Sequence, residues 1–249
     1  MKQVNQRAGE YMHAGATPVS RRVTFTGSAV QDEAPPVLEG RLYVPADGRL
    51  HPGVVLCHAN PAAGGNMDMK VMQVLEEALV AEGFATLRYN SRGVGGSTGT
   101  ISRTEGRRLV APEGTPEAED VGAALAFLGM QDGVDDNRLA LVGHSFGARI
   151  ALAYLARHPD VPGVQAAVCI GLPVGWRDLS HLGGWPRPKL FIAGDRDDFC
   201  PPDELASFVA ALPEPSNILV LKGTGHFFEG REYDLASAVV AFLKQVLIH

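Results

Sequence analysis

The chain has 249 residues, 45% of them hydrophobic and 20% charged, and a formal net charge of −6. That length suits one α/β domain with a buried sheet, and the balance excludes a disordered chain or a coiled coil. The acidic balance also disfavours nucleic acid as a partner, because a phosphate backbone needs a basic face to neutralise it.

In chain order, residues 1–20 form a polar leader without the continuous apolar stretch of a signal peptide, so the folded domain is expected over 21–249. Arg22–Thr26 and Val37–Val44 carry β-branched and aromatic residues on either side of Pro35-Pro36 and predict an antiparallel strand pair. Short apolar runs follow at Gly53–Cys57, Phe84–Tyr89, Leu139–Val142, Ala166–Ile170, Leu190–Ala193 and Ile218–Leu221. Runs of this kind suit strands buried on both faces of a parallel sheet. Between them, Val71, Leu75, Ala78 and Leu79 repeat with a helical period, as do Leu235, Val239, Phe242 and Val246. Thr115-Pro116 reads as a cap and first residue of a third helix, through Ala124 and Phe127. Strands alternating with helices imply a doubly wound α/β fold. The 101–114 and 171–188 connections are too short for a sizeable cap domain. Arg103, Arg107 and Arg108 are interleaved with Glu105 and Glu113 and read as a solvated loop.

The most informative segment is Leu139–Ala148, in which an apolar strand runs into Gly143-His144-Ser145-Phe146-Gly147 and then a helical pattern through Ala151, Tyr154 and Leu155. Gly-x-Ser-x-Gly between strand and helix is a nucleophile elbow. The serine sits at the tip of a sharp turn, and the glycines remove side chains that would collide there. Such a turn aims the unpaired N–H groups of the helix start, Phe146 first, at charge developing beside Ser145.

A serine hydroxyl needs a base within hydrogen-bond reach. Of eight histidines, His226 lies in a glycine-rich loop after the Ile218–Leu221 strand, late in the chain, as the order Ser, acid, His requires. The bland alternative is a loop histidine packed on Phe227 and Phe228. His144 is the rival by proximity, but its side chain should project away from the hydroxyl. His13, His51, His158, His181 and His249 sit in tail, loop or terminal contexts and read as solvated. The orienting carboxylate should follow a strand between serine and histidine, where Asp195, Asp197 and Asp198 all qualify; those not used would pair with Arg196 or cap the next helix.

From about Arg22 onward the sequence resembles small, capless bacterial α/β-hydrolases, close to dienelactone-hydrolase-like esterases. The resemblance implies a mostly parallel central sheet of about eight strands flanked by helices. In such proteins the acid falls three residues after the glycine ending its strand; that glycine is Gly194, which selects Asp197. His58-Ala59-Asn60-Pro61 and the following Gly64-Gly65 and Met67-Asp68 are similar to the family's His-Pro-x-Pro loop, with Ala59 in place of proline. That loop supplies a second oxyanion donor, and since Pro61 has no N–H the backbone of Asn60 is selected. Arg92-Gly93-Val94-Gly95-Gly96-Ser97 resembles a structural turn of the same proteins. It fails as a dinucleotide fingerprint, because Thr98 stands where a third glycine is needed. A cysteine nucleophile, as in dienelactone hydrolase proper, would occupy the elbow; Ser145 points instead to acyl transfer from an ester. The same triad could serve a thioesterase, a peptidase or a C–C bond hydrolase, and a noncatalytic protein could keep the fold.

Cys57, Cys169 and Cys200 show neither CxxC spacing nor a disulfide framework, which suits reduced thiols in a cytoplasm. No run of about 18 apolar residues predicts a membrane span. No Walker A sequence and no metal-binding histidine pair occurs, so neither cofactor nor metal is expected. The expected partner is a small-molecule ester or thioester. Phe146, Trp176, Trp185, Phe199 and Phe227 are expected near the site and favour small or medium apolar acyl groups.

Overall fold

A computed structural model of the chain describes residues 20–29, 34–101, 104–105, 108–109, 116–174, 179 and 184–248. The leader up to residue 19, the Thr115 cap, Arg103, Arg107, Glu113, Trp176, His13, His181 and His249 lie outside the described residues.

The strands are β1 (Arg21–Thr26), β2 (Val37–Tyr43), β3 (His51–Cys57), β4 (Ala85–Tyr89), β7 (Val134–His144), β8 (Val164–Ile170), β9 (Lys189–Gly194) and β10 (Ser216–Leu221). They form one eight-stranded sheet in the order β1-β2-β4-β3-β7-β8-β9-β10. β5 (Thr104–Glu105) and β6 (Arg108–Leu109) make a separate two-residue antiparallel pair. β1 and β2 pair antiparallel, as their sequence predicts, and β2 pairs antiparallel with β4. From β4 to β10 every pairing is parallel.

Five helices, α1 (Lys70–Ala81), α2 (Pro116–Gly129), α3 (Phe146–Arg157), α4 (Pro202–Ala210) and α5 (Glu232–Leu247), are described. They cover both faces of the central strands, so β3, β4, β8 and β9 are buried without alternation. The Ile218–Leu221 run, expected to be buried on both faces, instead lies on the edge strand β10 with Ile218 and Val220 exposed. Val54 and Leu56 of β3 and Ala140 and Val142 of β7 pack with Leu75 and Leu79 of α1 and Leu235, Val239 and Leu243 of α5. Their neighbours Val55 and Leu141 point to the opposite face, among Val121, Leu125, Ile150 and Leu155 of α2 and α3. The period-two alternation thus sorts residues between two cores.

Three further details depart from the sequence reading. β7 begins at Val134, five residues earlier than its apolar run, because the polar segment Asp135-Asp136-Asn137 remains in the strand. On α5 the buried stripe is Leu235, Val239, Leu243 and Leu247, with Phe242 and Val246 half-buried on its flank. His51 is buried, its ring held by Gly83 O at 2.8 Å and Asp47 at 2.7 Å.

The strand order reverses direction between β3 and β7. Loops leaving the carboxyl ends of these two strands diverge to opposite faces, the kind of switch point at which open α/β sheets bind ligands. The loop carrying Asn60 follows β3, and Ser145 follows β7.

Candidate active site

Ser145 lies between β7 and α3 with φ 55° and ψ −111°. A non-glycine residue held at positive φ carries local strain of about 1–3 kcal/mol. The bend tolerates nothing larger than glycine on either side. A Cβ on Gly143 would lie 2.4 Å from Ala148 N, and one on Gly147 would lie 2.0 Å from Cys57 O. The second contact also presses the start of α3 against the end of β3. Ser145 N–H donates to Ile170 O at 2.7 Å, fixing the bend to β8. Phe146 is the first residue of α3, so its N–H precedes the first intrahelical bond.

His226 reaches this serine from the turn between β10 and α5. Ser145 Oγ–H donates to His226 Nε2 at 2.9 Å. On the other side of the ring, Nδ1–H donates to the Asp197 carboxylate, with Oδ1 at 3.0 Å and Oδ2 at 2.9 Å. Asp197 is buried in the loop between β9 and α4, and its Oδ1 also accepts the N–H groups of Phe199 (2.9 Å) and Cys200 (3.0 Å). These bonds hold the carboxylate in one orientation. Gly171, at φ +56°, leaves the space beside the pair open; a Cβ there would lie 3.1 Å from two atoms of the His226 ring.

The two aspartates beside Asp197 differ from the pairing or capping role expected of them. Asp195 accepts the backbone N–H groups of Gly223 (2.7 Å) and Thr224 (3.2 Å) and so ties the acid loop to the histidine loop. No side chain caps α4, whose N-cap position is Pro201.

The loop after β3 is held by the end of β4. Ser91 N–H donates to His58 Nε2 at 3.0 Å, so the His58 proton is on Nδ1, which donates to Ala59 O at 2.7 Å. Because a peptide unit is planar, fixing Ala59 O also fixes the direction of the Asn60 N–H on the opposite side of the same bond. Burial keeps His58 neutral, its pKa pushed down to about 4. At the far end of the loop, Asn90 Oδ1 accepts Met67 N–H at 2.8 Å, and Arg88 Nη1 donates to Met67 O (2.7 Å) and Asp68 Oδ1 (2.6 Å). Asn60 itself caps the short turn Pro61–Ala63, its Oδ1 accepting Ala62 N–H. Its own N–H takes part in none of these bonds.

The structure therefore brings Ser145, His226 and Asp197 into one hydrogen-bonded relay and sets the Phe146 amide beside it, with the Asn60 loop packed against the elbow. Among the aromatic residues expected there, Phe199 and Phe227 flank the His226 ring at centroid distances of 4.7 and 5.3 Å. Trp185 does not line an open cleft: it is fully buried in the core of the α2–α3 face. The roles of His58, Asp195 and Gly171 escaped the sequence reading, because each depends on a partner from another loop. Arg92 is structural as expected, since its guanidinium pairs with buried Asp120 through two bonds of 2.7 Å.

Among the described residues no group of His, Cys, Asp or Glu is arranged to hold a metal ion, and no helix is long and apolar enough to cross a membrane.

Comparison with known proteins agrees with this architecture. The profile of the alpha/beta hydrolase fold family matches residues 52–180. An uncharacterized protein of Rickettsia prowazekii is 30% identical over 214 residues, 83% of this chain and 84% of that protein. A serine hydrolase without a lid from Xanthomonas campestris superposes with a TM-score of 0.72 at 26% identity, covering 91% of this chain and 94% of its own. An alpha-beta serine hydrolase homologue from Coxiella burnetii gives 0.72 at 27%, covering 89% and 96%. The chain thus belongs to the α/β-hydrolase fold family, and lidless serine hydrolases are among its structural neighbours.

Proposed function

We propose that the protein hydrolyses carboxylic esters through Ser145, His226 and Asp197 by way of an acyl-enzyme. The observation that carries this reading is the continuous relay from Ser145 Oγ through the His226 ring to Asp197, at 2.9 Å on each side. His226 takes the hydroxyl proton as Ser145 attacks the carbonyl and returns it to the leaving alcohol; Asp197 holds the ring in the tautomer that makes Nε2 the acceptor and stabilises the imidazolium. The N–H groups of Phe146 and Asn60 receive the oxyanion. Water then attacks the acyl-enzyme with His226 as base.

Phe199 and the half-exposed Phe227 beside the ring favour small to medium apolar acyl or alcohol groups. Three free, buried cysteines suit the reducing cytoplasm.

A panel of p-nitrophenyl esters of increasing chain length, run beside acyl-CoA thioesters, tests the proposal on wild type and Ser145→Ala. Ester turnover that vanishes in the variant, with fluorophosphonate labelling of wild type alone, is the expected result. Undiminished ester hydrolysis by Ser145→Ala would sink the proposal, and faster thioester turnover would move the substrate class. A folded wild type that neither turns over nor labels would mark a binding protein.

A further inference from the structure

His144, the last residue of β7, is fully buried. Its Nε2–H donates to the backbone carbonyl of His226 at 2.9 Å, and the two rings lie 5.3 Å apart. Phe227 and Phe228 stand edge-on to it, both at 6.2 Å. Its other nitrogen, Nδ1, is buried without a hydrogen-bond partner among the described residues. An unsatisfied buried acceptor is destabilising. Phenylalanine or leucine would fill the same apolar slot without that cost, so packing alone does not account for a histidine. Among the described residues, the one polar contact it makes is with the main chain of His226.

We propose that His144 is a positioning residue for His226, holding the main chain of the base against the elbow so that Ser145 and His226 stay in contact. This rests on the reading of the relay given above. His144 and Ser145 are consecutive, and Ser145 is pinned to Ile170. The bond therefore closes a short circuit: His144 ring, His226 carbonyl, His226 ring, Ser145 Oγ. Without it, nucleophile and base are linked by longer routes, through the sheet from β7 across β8 and β9 to the edge strand β10 and through the Asp197 bonds to the His226 ring. The other side-chain anchors of this loop act on Gly223 and Thr224, before His226. Among the described residues, His144 makes the only side-chain hydrogen bond to the backbone of residues 225–228. Burial pushes its pKa down to about 4, so the ring stays neutral and keeps the Nε2 proton it donates.

The experiment compares wild type, His144→Phe and His144→Gln for hydrolysis of a p-nitrophenyl ester, fluorophosphonate labelling rate and thermal unfolding midpoint. Phenylalanine keeps the ring and removes the donor; glutamine restores a donor at a similar reach. For His144→Phe the expected result is a kcat lower by about tenfold or more, KM within about twofold and an equal slowing of labelling. The variant should stay folded at the assay temperature, since removing the unpaired Nδ1 offsets leaving the His226 carbonyl unpaired. His144→Gln should recover most of the rate. Wild-type kcat in His144→Phe, no recovery in a folded His144→Gln, or activity lost only in proportion to folded protein would each overturn the proposal. Undiminished turnover by Ser145→Ala would instead overturn the reading of the site. An inactive Ser145→Ala beside a fully active His144→Phe would overturn the positioning role alone.

Discussion

The ring of His226 faces both carboxylate oxygens of Asp197, at 2.9 and 3.0 Å, while two backbone N–H groups hold Oδ1 from behind. The carboxylate is therefore fixed by the fold itself, and its contact favours the ring tautomer with the proton on Nδ1. Asp197→Asn keeps the shape and removes the charge, and kcat should fall by about 10⁴-fold with little change in unfolding midpoint. Ester kinetics at saturating substrate check this; a loss below tenfold would remove Asp197 from the relay.

Asn60 has φ −55°, a value proline adopts without strain. Asn60→Pro thus deletes the amide proton assigned to the oxyanion, while Asn60→Ala, which loses only the side-chain cap, serves as control. Loss of one such donor costs about 3 kcal/mol, or roughly a hundredfold in kcat. Equal rates for the two variants would assign the second donor elsewhere.

Gly171→Ala should damage the site without touching a reacting group. The added methyl falls 3.1 Å from His226 and 3.3 Å from Asp197 Oδ2, on a residue at φ +56°. Urea unfolding should show a loss of about 1–2 kcal/mol from the backbone conformation, and kcat should drop by about tenfold or more as the ring shifts. Wild-type kcat in this variant would show that the ring has room to spare.

Stability should fall on mild acidification. His58 and His144 both titrate near 4 in the fold against 6.5 in an unfolded chain, chiefly because burial disfavours the charged ring. The unfolded chain binds more protons across this interval, so the stabilisation is complete above pH 6.5, declines as pH falls towards 4, and levels off below it. Each shift corresponds to roughly 3 kcal/mol. The two do not add in full, because His58 is one of the charges that lowers His144. Urea midpoints between pH 7.5 and 4.5 measure the decline, and a flat profile would contradict it.

The cysteines should be inert in the native protein. All three are buried; burial pushes the Cys57 thiol up to about 12 and raises Cys169 and Cys200 further. Cys200, although its N–H bonds to Asp197, should leave activity insensitive to thiol reagents. Titration with a chromogenic disulfide should count no thiols in buffer and three in urea.

Much of this site is local and therefore legible in the sequence. The elbow needs only a strand, two glycines and a helix, and the collisions a side chain would meet at positions 143 and 147 explain the spacing. The choice of Asp197 over its neighbours was not local. It required the family pattern, because only contacts with Gly223 and Thr224 distinguish Asp195, and those residues come from the next loop. His51 is misread as solvated in part for the same reason: Asp47 is a local partner, but Gly83, whose carbonyl holds the other ring nitrogen, lies 32 residues away. On α5 the apolar repeat marks two overlapping stripes, and only the facing sheet decides that Leu243 and Leu247 are the buried pair.

The His58–Asp68 segment is fastened at both ends to β4, while its tip at Ala62–Gly64 is exposed. The apex is tied back to the stem through Asn60, which accepts the N–H groups of Ala62, Ala63 and Gly65. Lengthening a loop is thermodynamically cheap in itself, but residues spliced into this apex would have to preserve those bonds for the Asn60 N–H to keep its direction. The length of this loop is therefore coupled to the direction of the amide it presents beside the elbow.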